Sequence, residues 1–255
     1  MKIFSSLRSL LKPKQFQCPV CESKINHFQM LDKGYLNELD KQGFIYSPFH
    51  FETLNIFDYL CPVCKASDRE RLYAMYLKKN LNTNLVENYV KLLEFAPSKA
   101  LKKFIARHTQ LEYKTADLYL TPVDYQVDIS NMPVLAENSF DIILCSHVLE
   151  HVPNDRQALK ELHRILKPQG WAIIMVPIML DISEDLEHNR SLTAEERWKY
   201  YAQDDHIRLY SRPGFLQKLV DAGFKVKMLD RTFFEADEFT RNGIHPRSVL
   251  YVVEK

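Results

Sequence analysis

The stretch that most restricts how this chain can fold is Ser139–Ile178, SFDIILCSHVLEHVPNDRQALKELHRILKPQGWAIIMVPI. Phe140–Cys145 is a short apolar run of buried-strand type, broken by Ser146-His147. Pro153-Asn154-Asp155 supplies helix-start chemistry, and Ala158, Leu159, Leu162, Ile165 and Leu166 follow at helical spacing. Lys167-Pro168-Gln169-Gly170 stops that helix with a cation, a proline and a glycine. Trp171–Val176 is a second buried strand. Two apolar strands joined by an amphipathic helix predict a βαβ unit with parallel strands and a right-handed crossover. In such sheets ligands bind beyond the carboxyl ends of the strands. Cys145–His151 and the residues from Pro177 onward therefore belong to the working rim.

These residues carry a resemblance. FDIILCSHVLEHV, then ALKELHRILKPQG, then a strand ending in VP, resemble the central segment of class I S-adenosylmethionine-dependent methyltransferases of the broad type 11 grouping. The resemblance implies an α/β, Rossmann-like sheet of order 3-2-1-4-5-7-6 with its last strand antiparallel. It implies S-adenosylmethionine as cofactor, and says little about the methyl acceptor.

The chain has 255 residues, enough for one α/β domain and a small appendage. Its longest apolar run, Trp171–Leu180, falls short of the ~20 residues a membrane span needs. Met1–Lys14 lacks the features of a secretory signal, because Arg8 interrupts its apolar residues and no small-residue cleavage site follows. Ile3, Phe4, Leu7, Leu10 and Leu11 fit one face of a short basic helix, suited to a membrane surface or to a docked or frayed terminus. A cytoplasmic location is expected. A formal net charge of +1 gives no global drive towards nucleic acid.

Cys18-Pro-Val-Cys21 and Cys61-Pro-Val-Cys64 repeat one CPVC element. Each places two thiolates on a tight turn, and together they fit a closed four-cysteine site for a structural Zn2+ in a zinc-ribbon-like module. The 39 residues between the pairs exceed the usual spacing. Doubling a loop costs only ~0.6 kcal/mol of closure entropy, against about 10 kcal/mol or more from a structural zinc site. Redox dithiols or disulfides are the competing reading, disfavoured by a reducing compartment and by the lack of a βαβ context around Phe16–Cys21. The fifth cysteine, Cys145, ends a buried strand and reads as a core thiol. Between the pairs lie Phe28, Tyr35, Phe44, Tyr46, Phe49, Phe51, Phe57 and Tyr59. They are expected to be the module's own core rather than a base-stacking surface. The expected division is a zinc module over residues 1–66 and a methyltransferase domain over 67–255, bridged by a helix at Asp68–Asn80.

Val90–Phe95 is the candidate first strand, ending at Glu94-Phe95-Ala96-Pro97-Ser98-Lys99. None of the chain's six glycines lies in that loop. A glycine-rich turn is what a dinucleotide pyrophosphate requires, so NAD is disfavoured, whereas S-adenosylmethionine has no phosphate to cradle. The loop is similar to a methyltransferase subset with an aromatic-Ala-Pro sequence there. Leu111–Asp117 is a second strand, and a third is expected to end at Val127-Asp128-Ile129. The acids Glu94, Asp117 and Asp128 thus stand at three successive strand ends. Each alone could be a solvated carboxylate. By the resemblance, Asp117 takes the ribose hydroxyls, Asp128 the adenine amino group and Ile129 the ring face. Ala96, Pro97, Leu118, Ser146 and His147 complete the expected cofactor set.

Ile178–Tyr210 is a polar insertion at the rim, expected to cover an acceptor pocket before a helix at Arg212–Ala222. Phe224–Leu229 and Val249–Val253 are the closing strands. A hydroxyl acceptor must lose a proton, and histidine is the natural base near neutral pH. His206, His147 and His151 are the candidates, with Glu184, Asp185 and Arg208 as expected acceptor contacts. The reaction expected is O-methylation of a small-molecule or glycan-like acceptor, since similar proteins are associated with surface-polysaccharide biosynthesis. One alternative is an rRNA or tRNA methyltransferase whose zinc element aids RNA binding, disfavoured because SHVLEHV replaces an Asn/Asp-Pro-Pro-aromatic turn. Another is a zinc-binding adaptor with a degenerate cofactor loop.

Overall fold

The computed structural model describes residues 16–81 and 90–255. The expected basic helix at residues 1–14 lies outside them. The chain opens with the hairpin β1 (Phe16–Gln17) and β2 (Lys24–Ile25), wrapped around the first CPVC turn. Helix α1 (Lys33–Lys41) follows, its N-terminus capped by Asp32 accepting from Tyr35 N at 3.3 Å. After the second CPVC turn, α2 (Asp68–Leu81) runs into the main domain. The remaining elements are β3 (Val90–Phe95), α3 (Lys99–Ile105), β4 (Leu111–Asp117), β5 (Tyr125–Gln126), β6 (Phe140–Ser146), α4 (Asp155–Ile165) and β7 (Leu166–Met175). Then come β8 (Leu186–Glu187), α5 (Ala194–Tyr201), β9 (Arg208–Leu209), α6 (Arg212–Asp221), β10 (Lys225–Leu229), α7 (Glu238–Arg241) and β11 (Leu250–Glu254).

Seven strands form one sheet in the order β5-β4-β3-β6-β7-β11-β10. Pairs β3–β4, β3–β6, β4–β5 and β6–β7 are parallel, and β11 runs antiparallel to both neighbours. Counting the sheet strands along the chain gives 3-2-1-4-5-7-6, the expected order. The core lies where the sequence periodicity puts it. Helix α4 buries Ala158, Leu159, Leu162 and Ile165 against the sheet, each large residue contributing ~2 kcal/mol of apolar burial.

Two boundaries differ from expectation. Strand β7 begins at Leu166 rather than Trp171, because Leu166 turns inward to pair with Phe140 while the following residues bulge. Gln169 adopts a φ of 65°, and a Cβ on Gly170 would stand 2.9 Å from the carbonyl oxygens of Asp141 and Lys167. Strand β5 is only two residues long and ends before Val127. Asp128 then sits in a tight turn, its carbonyl accepting from Asn131 N at 2.9 Å.

Most of the aromatic residues between the cysteine pairs become core, but not of a self-contained knuckle. Phe28 packs in the main cluster beneath the cysteines. Phe51 joins a second cluster with Met179, Leu192, Tyr201 and Leu209 of the insertion, and Tyr35, Phe44 and Tyr46 pack against it. Backbone bonds stitch the two segments together: Glu52 N to Ile178 O at 2.9 Å, Leu180 N to His50 O at 3.1 Å, Ile45 N to Lys199 O at 3.1 Å. Phe49 and Phe57 stay half-exposed, packed on one another. Arg71 of α2 is fully buried under the second CPVC turn. Its guanidinium donates to the carbonyls of Asn242, Tyr59, Ala66, Asp58 and Gly243 and lies 3.9 Å over the Phe28 ring. One side chain thereby anchors the cysteine-bearing segment to the C-terminal part of the domain. Among the described residues, no helix is long and apolar enough to cross a membrane.

Candidate active site

The carboxyl ends of β3, β4 and β6 open onto a crevice of about 490 Å3. Of the expected cofactor residues, Ala96, Asp117, Leu118, Asp128, Ile129 and His147 line it. No side chain of the described residues fills it. Asp117 Oδ1 accepts from Tyr119 N at 2.7 Å and Leu120 N at 2.8 Å, which fixes the carboxylate and leaves Oδ2 open to a ligand. Asp128 is braced in the same way, Oδ1 accepting from Ser130 N at 2.8 Å and Ser130 Oγ at 2.7 Å. A nucleoside presents a diol and a flat apolar base, and the crevice offers open carboxylate oxygens beside Val127, Ile129 and Val148. The donor set fits an adenosyl group.

The loop without glycine reaches the same backbone shape by another residue. Ala96 adopts a φ of 50°, the left-handed conformation that a glycine would take at least cost. Its N–H donates to Ala116 O at 3.0 Å, tying the turn to the neighbouring strand end. A small side chain is what makes this tolerable.

Glu94 and Ser146 stand one step deeper. With Ala96 they line a side cavity of about 60 Å3, which Arg69, Glu70 and Tyr73 of α2 close. Glu94 is buried, accepting from Tyr113 Oη and from Ser98 N at 3.2 Å. Burial pushes its carboxyl up to about 7, against the pull of the Tyr113 hydroxyl. Ser146 Oγ lies 2.7 Å from Tyr73 Oη. Pro97 lines neither cavity.

A second cavity, of about 380 Å3, lies on the other side of the β6 rim. Its walls come from three places: Leu31, Tyr35, Phe51 and Tyr59 of the inter-cysteine segment, Val176–Ile178 after β7, and Ala202, Gln203 and His206 of the insertion. Helix α5 ends at Ala202 in a left-handed turn, φ 68°, so that Gln203 faces the cavity. Arg69 is common to this cavity and the small one.

His147 and His151 line both large cavities, and so mark where a cofactor and an acceptor would meet. His147 also takes a left-handed backbone, φ 54°, held by its N–H bond to Met175 O at 2.9 Å. Its Nδ1 stands 3.2 Å from Oε1 of Glu150, an ion-pair distance without the alignment of a hydrogen bond. Burial, with the Arg69 charge nearby, holds His147 down to about 4, so the ring is neutral at physiological pH. His206 is buried, its Nδ1 on Tyr201 O at 3.1 Å and its Nε2 3.9 Å from Glu150 Oε1. Burial lowers its pKa as well.

Three expected acceptor contacts do not reach the cavity. Arg208 is buried, bonding the carbonyls of Leu149, Val152 and Pro153 and the carboxylate of Glu187, and so closes the loop after β6. Asp185 accepts from Ser211 N and Oγ and pairs with Lys218 at the start of α6. Glu184 is exposed away from the lining. Both buried groups support backbone rather than ligand. Cys145 is fully buried and burial pushes its thiol far up, which suits a core thiol rather than a nucleophile.

The sequence did not point to Arg69 or Glu150. Arg69 becomes a wall of two cavities only because the second CPVC turn starts α2 beside the end of β3. The one local sign for Glu150 is its place between two histidines in His147-Val-Leu-Glu150-His151.

The four cysteine sulfurs form a separate cluster, and none of the four residues lines these cavities. Cys18 Sγ is 3.7 Å from Cys64 Sγ, and Cys21 Sγ is 3.8 Å from Cys61 Sγ. Thiolates bound tetrahedrally to zinc at ~2.3 Å stand about 3.8 Å apart. The donor set and its spacing fit that ion.

A mostly parallel seven-stranded sheet with its final strand reversed, opening at the carboxyl rim onto a crevice, is the Rossmann-like architecture of the class I methyltransferase fold. Residues 61–228 match the family described as "Methyltransferase domain", and the chain belongs to it. Among curated relatives, an uncharacterised protein of Methanocaldococcus jannaschii is 32% identical over 98 residues, 38% of this chain and 36% of that one. A ubiquinone/menaquinone biosynthesis C-methyltransferase of Hydrogenovibrio crunogenus is 26% identical over 114 residues, 40% of this chain and 45% of that one. A thiol S-methyltransferase of Rattus norvegicus is 35% identical over 81 residues, 30% and 31% respectively. The matched segments thus span less than half of each of these relatives. A solved S-adenosylmethionine-dependent methyltransferase from Mesorhizobium loti, 14% identical, aligns over 70% of this chain and 97% of its own with a TM-score of 0.46.

Proposed function

We propose that the protein transfers a methyl group from S-adenosylmethionine to a hydroxyl oxygen of a small or glycan-like acceptor held in the cavity behind His147. The observation that carries this reading is that His147 and His151 line both cavities at their junction. S-adenosylmethionine, when bound, supplies a methyl carbon activated by a sulfonium. The chain's part is then positioning and proton removal. Asp117 and Asp128 hold the nucleoside, with Ile129 against its base. Neutral His147, beside the Glu150 carboxylate, receives the acceptor proton. His206 from the insertion and His151 from the loop after β6 brace that pair.

The acceptor wall supports a small ligand over a polymer. It is built from the inter-cysteine segment and the insertion together, and about 380 Å3 accommodates a sugar-sized group. Relatives named as C- and S-methyltransferases show that fold alone leaves the acceptor atom open. A histidine at the junction favours an acceptor that must lose a proton. We also propose that Cys18, Cys21, Cys61 and Cys64 hold a structural Zn2+ that fixes one end of the cavity-forming segment. On this view residues 1–66 are a metal-stapled wall of the site, and 67–255 carry the cofactor.

Calorimetry with S-adenosylhomocysteine tests the cofactor reading, and absence of binding would leave only a zinc scaffold. Incubation of labelled S-adenosylmethionine with activated-sugar and small-alcohol pools tests the acceptor. Label found on RNA alone, or retained by His147→Ala at an unchanged rate, would overturn the hydroxyl mechanism.

A further inference from the structure

Glu150 is an unusual buried polar residue. It is fully buried, and neither carboxylate oxygen has a hydrogen-bond partner among the described residues. A buried carboxylate without donors costs several kcal/mol unless a cation compensates it. The nearest group facing it, His147 Nδ1, stands 3.2 Å from Oε1 but is not aligned for a hydrogen bond. His206 holds Nδ1 against the Tyr201 carbonyl at 3.1 Å, so in the neutral ring that nitrogen carries the proton. Its Nε2 then presents a lone pair to Glu150 Oε1 at 3.9 Å. His151 holds Nδ1 against Asp205, 3.3 Å from the backbone carbonyl and 3.4 Å from Oδ2, which likewise leaves Nε2 as the lone-pair atom. Two imidazole lone pairs thus lie beside a carboxylate whose nearest nitrogen, on His147, is misaligned, and a positive charge there would relieve the arrangement.

We propose that Glu150, His151 and His206 form a binding site for a first-row divalent cation at the acceptor side of the cofactor crevice. One donor atom from each lies within 4.8 Å of the others. Ligands 2.0–2.2 Å from a shared ion stand about 3–3.6 Å apart, so the widest pair needs to close by about 1–2 Å, a shift that imidazole rotation can supply. Both histidines already carry the outer contact typical of metal ligands, an Nδ1–H directed at a carbonyl or carboxylate. Two imidazoles and one carboxylate suit zinc, cobalt, iron or manganese, and three protein donors leave coordination positions open. Those positions face the acceptor cavity, since all three residues line it.

The role of such an ion rests on the methyl-transfer reading, although its binding does not. An acceptor hydroxyl oxygen bound to the cation loses its proton more readily. The proton passes to His147, which lies outside the donor set. The oxygen lone pair then forms the new C–O bond as the S–C bond breaks, and the sulfonium electron pair leaves as the neutral thioether.

The test uses the full-length protein with zinc retained on its cysteines, titrated with Mn2+ and with Co2+ without cofactor. One further equivalent should bind, and the Co2+ form should lack thiolate charge-transfer absorption. Glu150→Gln and His206→Asn should each weaken that equivalent about 100-fold, while S-adenosylhomocysteine affinity stays within about threefold of wild type. His151→Gln, a partly exposed position, serves where either buried variant fails to fold. If neither Mn2+, Co2+ nor added Zn2+ exceeds the cysteine-bound equivalent, the site does not exist. An extra equivalent that survives all three substitutions would place the ion elsewhere and overturn the assignment. Metal binding without S-adenosylhomocysteine binding would instead sink the methyltransferase reading and leave the cation site standing.

Discussion

The Tyr251 hydroxyl donates to Glu52 Oε2 at 2.8 Å, across 199 residues of sequence, with both side chains buried. Arg212 completes the contact, its Nε 2.6 Å from Oε1. The last strand of the sheet and the start of α6 therefore hold the inter-cysteine segment in place just where it meets the insertion. Burial raises the Glu52 pKa while these two donors oppose the rise. Replacing Tyr251 by Phe should cost about 1–3 kcal/mol, the penalty of a buried acceptor losing its donor. Urea unfolding checks this, and an unchanged midpoint would show that water replaces the phenol.

The cysteine cluster makes its own prediction. Cys61→Ser removes a fully buried ligand and should abolish the cysteine-bound metal equivalent in elemental analysis. Stability should fall by on the order of 3 kcal/mol or more, because a structural zinc site contributes directly to folding. Equal metal content in wild type and variant would return the cysteines to redox chemistry.

Cofactor binding should respond unequally to the two open acids. Asp117→Ala deletes a charged acceptor for a diol and should weaken S-adenosylhomocysteine by about 10–100-fold. Asp128→Ala removes a single hydrogen bond and should cost about 3–10-fold. Calorimetry distinguishes these, and an indifferent Asp117 would remove the ribose assignment.

Ala96 tests the glycine-free loop. Ala96→Gly should retain cofactor binding and leave stability unchanged or raised by up to ~1 kcal/mol, since glycine adopts a φ of 50° without strain. Ala96→Val places a β-branched side chain in that conformation and should weaken S-adenosylhomocysteine about tenfold or more. Tight binding by the valine variant would mean that the loop does not approach the ligand.

Glu94 gives a dependence on pH. Its carboxyl moves from the ordinary 4.5 up to about 7 on folding, through burial first of all. Between these values the folded chain holds a proton that the unfolded chain releases. Stability contributed by this group is therefore complete below about 4.5 and is lost as pH rises to about 7. Comparison of wild type with Glu94→Gln should reveal a difference in this slope totalling on the order of 3 kcal/mol. Parallel stability–pH curves would show that the carboxyl titrates normally.

Much of this molecule was legible in the chain itself. Strands 140–146 and 250–254 and helices 68–81, 155–165 and 212–221 follow from apolar periodicity, N-caps and stop signals, all local properties of sequence. The acids at 94 and 117 were visible because strand ends are, whereas Asp128 proved to sit in a turn two residues beyond its strand. The sheet order came from the resemblance, and the pairing reproduces it. What local pattern could not supply was the destination of segments with no period of their own. Residues 26–60 carry aromatics that would suit a free-standing knuckle. Only the tertiary fold shows Phe51 sharing a core with Met179 and Leu209, because apolar burial is non-directional and accepts whichever partner the chain's other constraints bring close. Arg208 and Asp185 look like ligand contacts in a polar insertion, yet buried carbonyls and a helix N-terminus claimed them first. The histidines at 147, 151 and 206 could be named from sequence, but the carboxylate they surround could not. Its lack of an aligned donor is a property of three-dimensional packing, set where Ile207 N bonds to Glu150 O at 3.0 Å and folds the insertion over the β6 rim.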